Sequence, residues 1–252
     1  MRSVRVIGIG AGDPSFLTVA AIDALQTVDV FFVLDKGPAS ADLTRAREAL
    51  CTQFIKDHPY RLVTVVDPAR DRTATNYAGA VDDWRDQRAN ALAAALAAEL
   101  PEDGVGGILV WGDPALYDGT IQVLETILAS GTALTYDVIP GISSVQALAA
   151  AHRVALNRTA GDIHITTGRR LAAGLPAGLN DVVVMLDADL SCKVLLGEPI
   201  DIYWGAYLGT PHQALIAGRL DAVFDEITTT RAELREQHGW IMDTYLLRRV
   251  TP

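Results

Sequence analysis

The chain is poor in the residues that bind metals or form disulfides. Its two cysteines, Cys51 and Cys192, stand far apart without metal-ligand spacing and read as small buried hydrophobes in a reducing compartment. Five histidines form no close pair in sequence, which argues against a zinc site or any bound metal. Positive charge is short as well. Lys and Arg number 21 against 31 Asp and Glu, and the formal net charge of -10 would repel the phosphates of nucleic acid or an anionic membrane. No apolar run is long enough to span a bilayer, and Met1-Arg2-Ser3 leads into a strand-like segment with no signal-peptide pattern. A Gly-x-Ser-x-Gly elbow is missing too, so nothing suggests a serine nucleophile. What is left is a cytoplasmic α/β protein, 252 residues long, with no membrane or nucleic-acid partner expected.

What the chain does have is aliphatic residues. It is 50% hydrophobic but only 6% aromatic, so Ala, Val, Leu and Ile must fill one large core or two smaller ones. Strand-like runs at Val4–Ile9, Val30–Leu34, Arg61–Val66 and Ala133–Ile139, and one ending at Val110, alternate with helical patterns at Thr18–Thr27, Ser40–Ile55 and Tyr77–Leu100. In the 40–55 helix the inward stripe is Leu43, Ala46, Leu50 and Phe54. This alternation predicts a mostly parallel sheet covered by helices. Further strand runs at Asp162–Thr166, Val182–Leu186 and Ile200–Tyr203, with closing antiparallel strands in Trp240–Val250, predict a second domain. The boundary is placed at 139/140, giving domains 1–139 and 140–252.

Polar or small residues stand just past several strands. They are Gly10, Gly12 and Asp13 after the first, Asp35 and Lys36 after the second, Gly112-Asp113-Pro114 after the fourth, and Ser143 with Ser144 after the fifth. Open α/β sheets bind ligands at that edge, so these residues suggest a shared crevice. The two serines could equally be plain helix caps. Gly8, Gly10 and Gly12 invite a dinucleotide fingerprint, but the third glycine is misplaced and Asp13-Pro14 intrudes before the helix. The 67–76 loop, carrying Arg70 and Arg72, is long for its kind.

Three motifs stand in order: Gly8-Ile9-Gly10-Ala11-Gly12-Asp13-Pro14 with Leu17-Thr18, then Gly112-Asp113-Pro114-Ala115-Leu116-Tyr117, then Ile139-Pro140-Gly141-Ile142-Ser143-Ser144. Together they resemble the tetrapyrrole methylase family. Phe31 to Gly37, Tyr77 with Ala80, Val81 and Trp84, and Tyr203 to Pro211 resemble its deacetylating C1-methylating branch. Ala11 stands where most members carry proline, which bears on substrate position more than on the methyl donor.

The resemblance implies two αβα domains with a cleft between them, a class III methyltransferase and not the usual Rossmann type. It implies S-adenosyl-L-methionine as donor, S-adenosyl-L-homocysteine as product, a homodimer, and methylation of precorrin-5 at C1 with loss of acetate. Carried over residue by residue, Trp111, Gly112, Asp113, Leu116, Ser143, Ser144, Leu186, Ala206 and Gly209 would hold the donor. Asp13, Asp35, Lys36 and Tyr117 are candidates for deacetylation, which needs a base or an oxyanion partner. Gly10, Gly12, Arg70, Arg72, Arg169 and Arg170 are candidates for the substrate and its carboxylates. A related methylase with another substrate, or a non-catalytic nucleotide-binding module, stays as an alternative.

Overall fold

In the computed structural model the described residues are 1–35, 41–68, 77–176, 178–239 and 241–250. The chain divides into two compact units, Met1–Gly10 with Pro14–Ile142, and Ala11–Asp13 with Ser143–Pro252.

The first unit holds a five-stranded, all-parallel sheet of order β3-β2-β4-β1-β5. The strands are β1 (Arg2–Gly8), β2 (Val30–Asp35), β3 (Arg61–Val66), β4 (Val105–Val110) and β5 (Leu134–Ile139). The helices are α1 (Val19–Leu25), α2 (Ala41–Phe54), α3 (Tyr77–Glu99) and α4 (Thr120–Ala129). The central strands are apolar throughout because helices cover both faces. Val4, Val6, Phe32, Ile108 and Val110 meet Leu92 and Leu96 of α3 and Leu124 and Ile127 of α4. The alternate residues Ile7, Phe31 and Leu109 meet Ala21 and Leu25 of α1 and Leu50 and Cys51 of α2.

One ladder in this sheet is short. β2 pairs with β4 at Val30↔Gly106 and Phe31↔Gly107 and then parts from it, while β1 stays paired with β4 as far as Val110.

The second unit holds a mixed sheet. Its strands are β6 (Ile163–Thr167), β7 (Asp181–Met185), β8 (Ile200–Ala206), β9 (Ala214–Arg219) and β10 (Asp243–Arg249), in the order β6-β7-β10-β8-β9. β6 and β7 are parallel, but β10 runs antiparallel to both β7 and β8, and β9 antiparallel to β8. Among the described residues after 240 one strand forms, antiparallel as expected but inserted between β7 and β8. The β8–β9 connection is too short for a helical crossover, so those strands must be antiparallel. α5 (Ser144–His152), α6 (Gly168–Leu171) and α7 (Leu220–His238) complete the unit. Trp204, Tyr245, Val184 and Ile202 pack with Leu220 and Ile227 of α7 in its core.

Candidate active site

Because the first sheet is parallel, Asp35 and the loops that follow β1, β4 and β5 share its carboxyl edge. Three of these loops are tied together. Gly10 and Gly112 exchange backbone hydrogen bonds, with the Gly112 amide donating to Gly10 at 2.8 Å and the Gly10 amide to Gly112 at 3.2 Å. Gly112 takes the left-handed conformation (φ 73°), which an L side chain adopts only under strain. The Asp113 carboxylate accepts the Ala115 amide on one oxygen and the Gly141 amide on the other, both at 2.8 Å. Asp113 thereby fixes the 112–116 turn to the 139–142 turn. A Cβ on Gly141 would lie 2.1 Å from the Gly112 carbonyl oxygen, so no side chain fits there. The glycines that read as room for a ligand are used first by the loops themselves.

The other candidates on this edge are more open. Leu116 is half-buried, Asp35 is exposed, and Trp111 packs part of its ring on the α1/α2 core; Asp13, which belongs to the second unit, is half-buried as well. Tyr117 is 47% exposed in a left-handed conformation (φ 54°). Lys36, Arg70 and Arg72 lie outside the described residues.

Sequence reasoning missed Arg47. It lies on the inward side of α2, one turn before Leu50 and Cys51, where an apolar stripe was expected. Its Nε donates to the Leu109 carbonyl at 3.2 Å. Burial lowers its pKa, and the nearby Asp118 partly offsets that. A buried ion pair was missed as well. Arg88 meets Asp67 at 3.0 Å with Trp84 stacked on the guanidinium, and the Trp84 indole donates to the Pro68 carbonyl at 2.9 Å. Trp84, recognisable as a signature residue, thus braces the start of the 67–76 loop.

In the second unit Ser143 is a buried N-cap of α5. Its Oγ accepts the Val145 amide at 3.1 Å and donates to the Gln146 side chain, while Ser144 opens the helix half-buried. β7 and β8 run the same way, so Leu186, just past β7, and Ala206 to Gly209, at the end of β8, share one edge. Leu186 does not belong to β7. It is left-handed (φ 52°) and 67% exposed. Ala206 is fully buried as the last residue of β8, and Gly209 (φ 74°) turns the chain while its amide donates to the Gln213 side chain at 2.9 Å. Arg169 and Arg170 are both exposed on the short α6 at the same edge.

What holds Leu186 in place is the next residue, Asp187, which is 6% exposed. Its carboxylate accepts the Ser191 amide at 2.6 Å, the Ser191 hydroxyl at 2.9 Å, and the Tyr245 hydroxyl. Arg231 of α7 donates to the Asp187 carbonyl and to Asp243, each at 2.8 Å, and the Trp204 indole donates to Asp243 at 3.0 Å. Burial raises the Asp243 pKa, opposed by Arg231 and Trp204. Burial likewise pushes Tyr245 up, and the Cys192 thiol up to about 12.

No group of three or more potential metal ligands is found among the described residues. No described helix is long and apolar enough to cross a membrane.

Comparison with known proteins follows the same lines. Residues 3–223 match the family of Tetrapyrrole (Corrin/Porphyrin) Methylases. The chain is 45% identical over 250 residues to a deacetylating precorrin-6A synthase of Sinorhizobium sp, covering 99% of this chain and 96% of that protein. A solved structure of CobF from Corynebacterium diphtheriae, described as related to cobalamin synthesis, superposes with a TM-score of 0.84 at 36% identity and covers 100% of both chains. The uroporphyrin-III C-methyltransferase of Thermus thermophilus, solved with S-adenosylhomocysteine, shares the fold at a TM-score of 0.57 and 18% identity, over 98% of this chain and 97% of that one. The fold is therefore the class III methyltransferase type and not the Rossmann type. By a match across most of its length and by its near full-length relative, the chain belongs to the tetrapyrrole methylase family.

Proposed function

We propose that this protein methylates C1 of precorrin-5 and releases the acetyl group of the ring as acetate, giving precorrin-6A in corrin-ring assembly. The observation that carries this reading is the end-to-end 45% identity with the deacetylating synthase. S-adenosyl-L-methionine is the donor we assign. When bound it supplies a methyl group already activated on a sulfonium, so no acid is needed at the leaving group.

The residues present fit such a donor. On the first sheet, Trp111, Gly112, Asp113 and Leu116 form a turn whose backbone is fixed from both sides by Gly10 and Gly141. On the second, Leu186 offers an exposed apolar side chain on a backbone anchored by Asp187. With Ser143, Ser144, Ala206 and Gly209, these are the donor residues we propose. Their work is to hold and orient, because in-line transfer depends on alignment and on excluding water. Loss of acetate takes a water and a proton acceptor or a group that binds the developing oxyanion, for which Asp13, Asp35, Lys36 and Tyr117 are the candidates. Gly10, Gly12, Arg169, Arg170, Arg70 and Arg72 are the proposed substrate contacts. The buried, unpaired thiols Cys51 and Cys192 support a reducing cytoplasm, and the family resemblance supports a homodimer.

The test is to incubate the purified protein with precorrin-5 and methyl-labelled donor and assay both products. Labelled ring together with acetate supports the reading. Labelled ring without acetate assigns a different methylation in the same family, and no transfer at all rejects the reading.

A further inference from the structure

We propose that Arg47 binds a carboxylate arm of the tetrapyrrole where β2 and β4 part, at the carboxyl edge of the first sheet. This rests on the tetrapyrrole-methylating reading above.

The argument begins with the short ladder. In a parallel strand successive carbonyls face opposite neighbours. The Val110 carbonyl accepts the Ile9 amide on the β1 side, so the Leu109 carbonyl faces β2. There the ladder has already ended, at Phe31↔Gly107, and the carbonyl would lack a partner. Arg47 supplies it through Nε, which pins the guanidinium where the two strands part. Its two terminal nitrogens, the fork that takes a carboxylate bidentately, form no ion pair among the described residues. The nearby carboxylate, Asp118, accepts the Thr120 amide at the start of α4 at 2.7 Å instead. Arg88, Arg231 and Arg248 differ in this respect, since each meets a buried carboxylate, at 3.0, 2.8 and 2.6 Å. A half-buried cation held in place with no ion pair among the described residues, its nearby Asp118 carboxylate engaged elsewhere, is suited to an acidic ligand in a protein of net charge -10.

The experiment compares wild type with R47Q and R47K. It measures KM for precorrin-5 and for the donor, calorimetric affinity for S-adenosylhomocysteine, and fluorescence titration with uroporphyrin I, a stable octacarboxylate. R47Q should raise the precorrin-5 KM and weaken uroporphyrin binding by about 10- to 100-fold, as expected for one lost charged hydrogen-bonding group. R47K should fall between, and homocysteine-product affinity should not change in either variant. Unchanged tetrapyrrole KM and uroporphyrin affinity in a folded R47Q would overturn the proposal and leave Arg47 as a prop for Leu109. If R47Q does not fold, R47K decides by the same two readouts. Should wild type bind uroporphyrin in an Arg47-dependent way yet not turn over precorrin-5, the carboxylate site stands and the choice of substrate falls.

Discussion

A carboxylate in a Gly-Asp-Pro turn reads from sequence as a ligand group, but in the fold both oxygens of Asp113 first accept backbone amides, those of Ala115 and Gly141. The two roles are separable. Asp113→Ala should lower stability by about 2 kcal/mol through the amides it strands, and should weaken donor affinity more than it slows turnover of the bound complex. Thermal melts and calorimetry with S-adenosylhomocysteine check both halves, and normal affinity without turnover would make Asp113 a catalytic group instead. Gly141→Ala tests the packing alone. With its Cβ driven toward the Gly112 carbonyl, it should cost about 1–3 kcal/mol, readable in a urea titration. The position of these residues at strand ends was legible in sequence. Their first partners were not, because a hydrogen bond from residue 141 to residue 113 has no local signature.

At the scale of elements the first unit was largely legible and the second only in part: β6, β7, β8 and β10 fall on the expected runs, while β9 and α7 do not. Strands buried on both faces announce themselves as apolar runs, as in Val30-Phe31-Phe32-Val33-Leu34. The long helix α7 gave no such signal, and the sequence reading passed over it together with β9. Its inward positions are Leu220, Ile227 and Arg231, so a charged residue interrupts the stripe that periodicity looks for, and Thr228-Thr229-Thr230 lowers helix propensity beside it. Arg231 tolerates that position because Asp243 and the Asp187 carbonyl take its donors. Arg231→Met should therefore destabilise by about 3–5 kcal/mol, since it strands a buried carboxylate. Adding Asp243→Asn should recover part of that loss in equilibrium unfolding. A double mutant no more stable than the single one would show the two side chains to be uncoupled.

For the molecule as a whole, pH in the mildly alkaline range acts first through the two thiols. Cys51 and Cys192 are buried, and burial raises both to about 12. A raised folded pKa means that the unfolded chain releases its protons first. The stabilising contribution is complete below the ordinary thiol value and is lost as pH climbs toward the folded one. By pH 10 the loss should reach about 2 kcal/mol per thiol, taking an unfolded value of about 8.5. Unfolding titrations at pH 7.5, 9 and 10 should show it, and Cys51→Ala with Cys192→Ala should flatten the slope. A slope as steep in the double variant would assign the effect to other groups.

The parting of β2 from β4 also sets a seam in how the first unit comes apart. β2 pairs with β3 over six residues but with β4 over only two, whereas β1 holds β4 and β5 over six each. The β2–α2–β3 layer should thus behave as one cooperative leaf, opening before the β4-β1-β5 spine. In native-state hydrogen exchange the amides of 30–35 and 61–66 should share one opening free energy, lower than that of 4–8 and 105–110. The proposed carboxylate grip at Arg47 belongs to that leaf, while the turns assigned to the donor on this sheet spring from the spine. Substrate preference could then drift in evolution by changes in the leaf, leaving the frame of the methyl donor untouched.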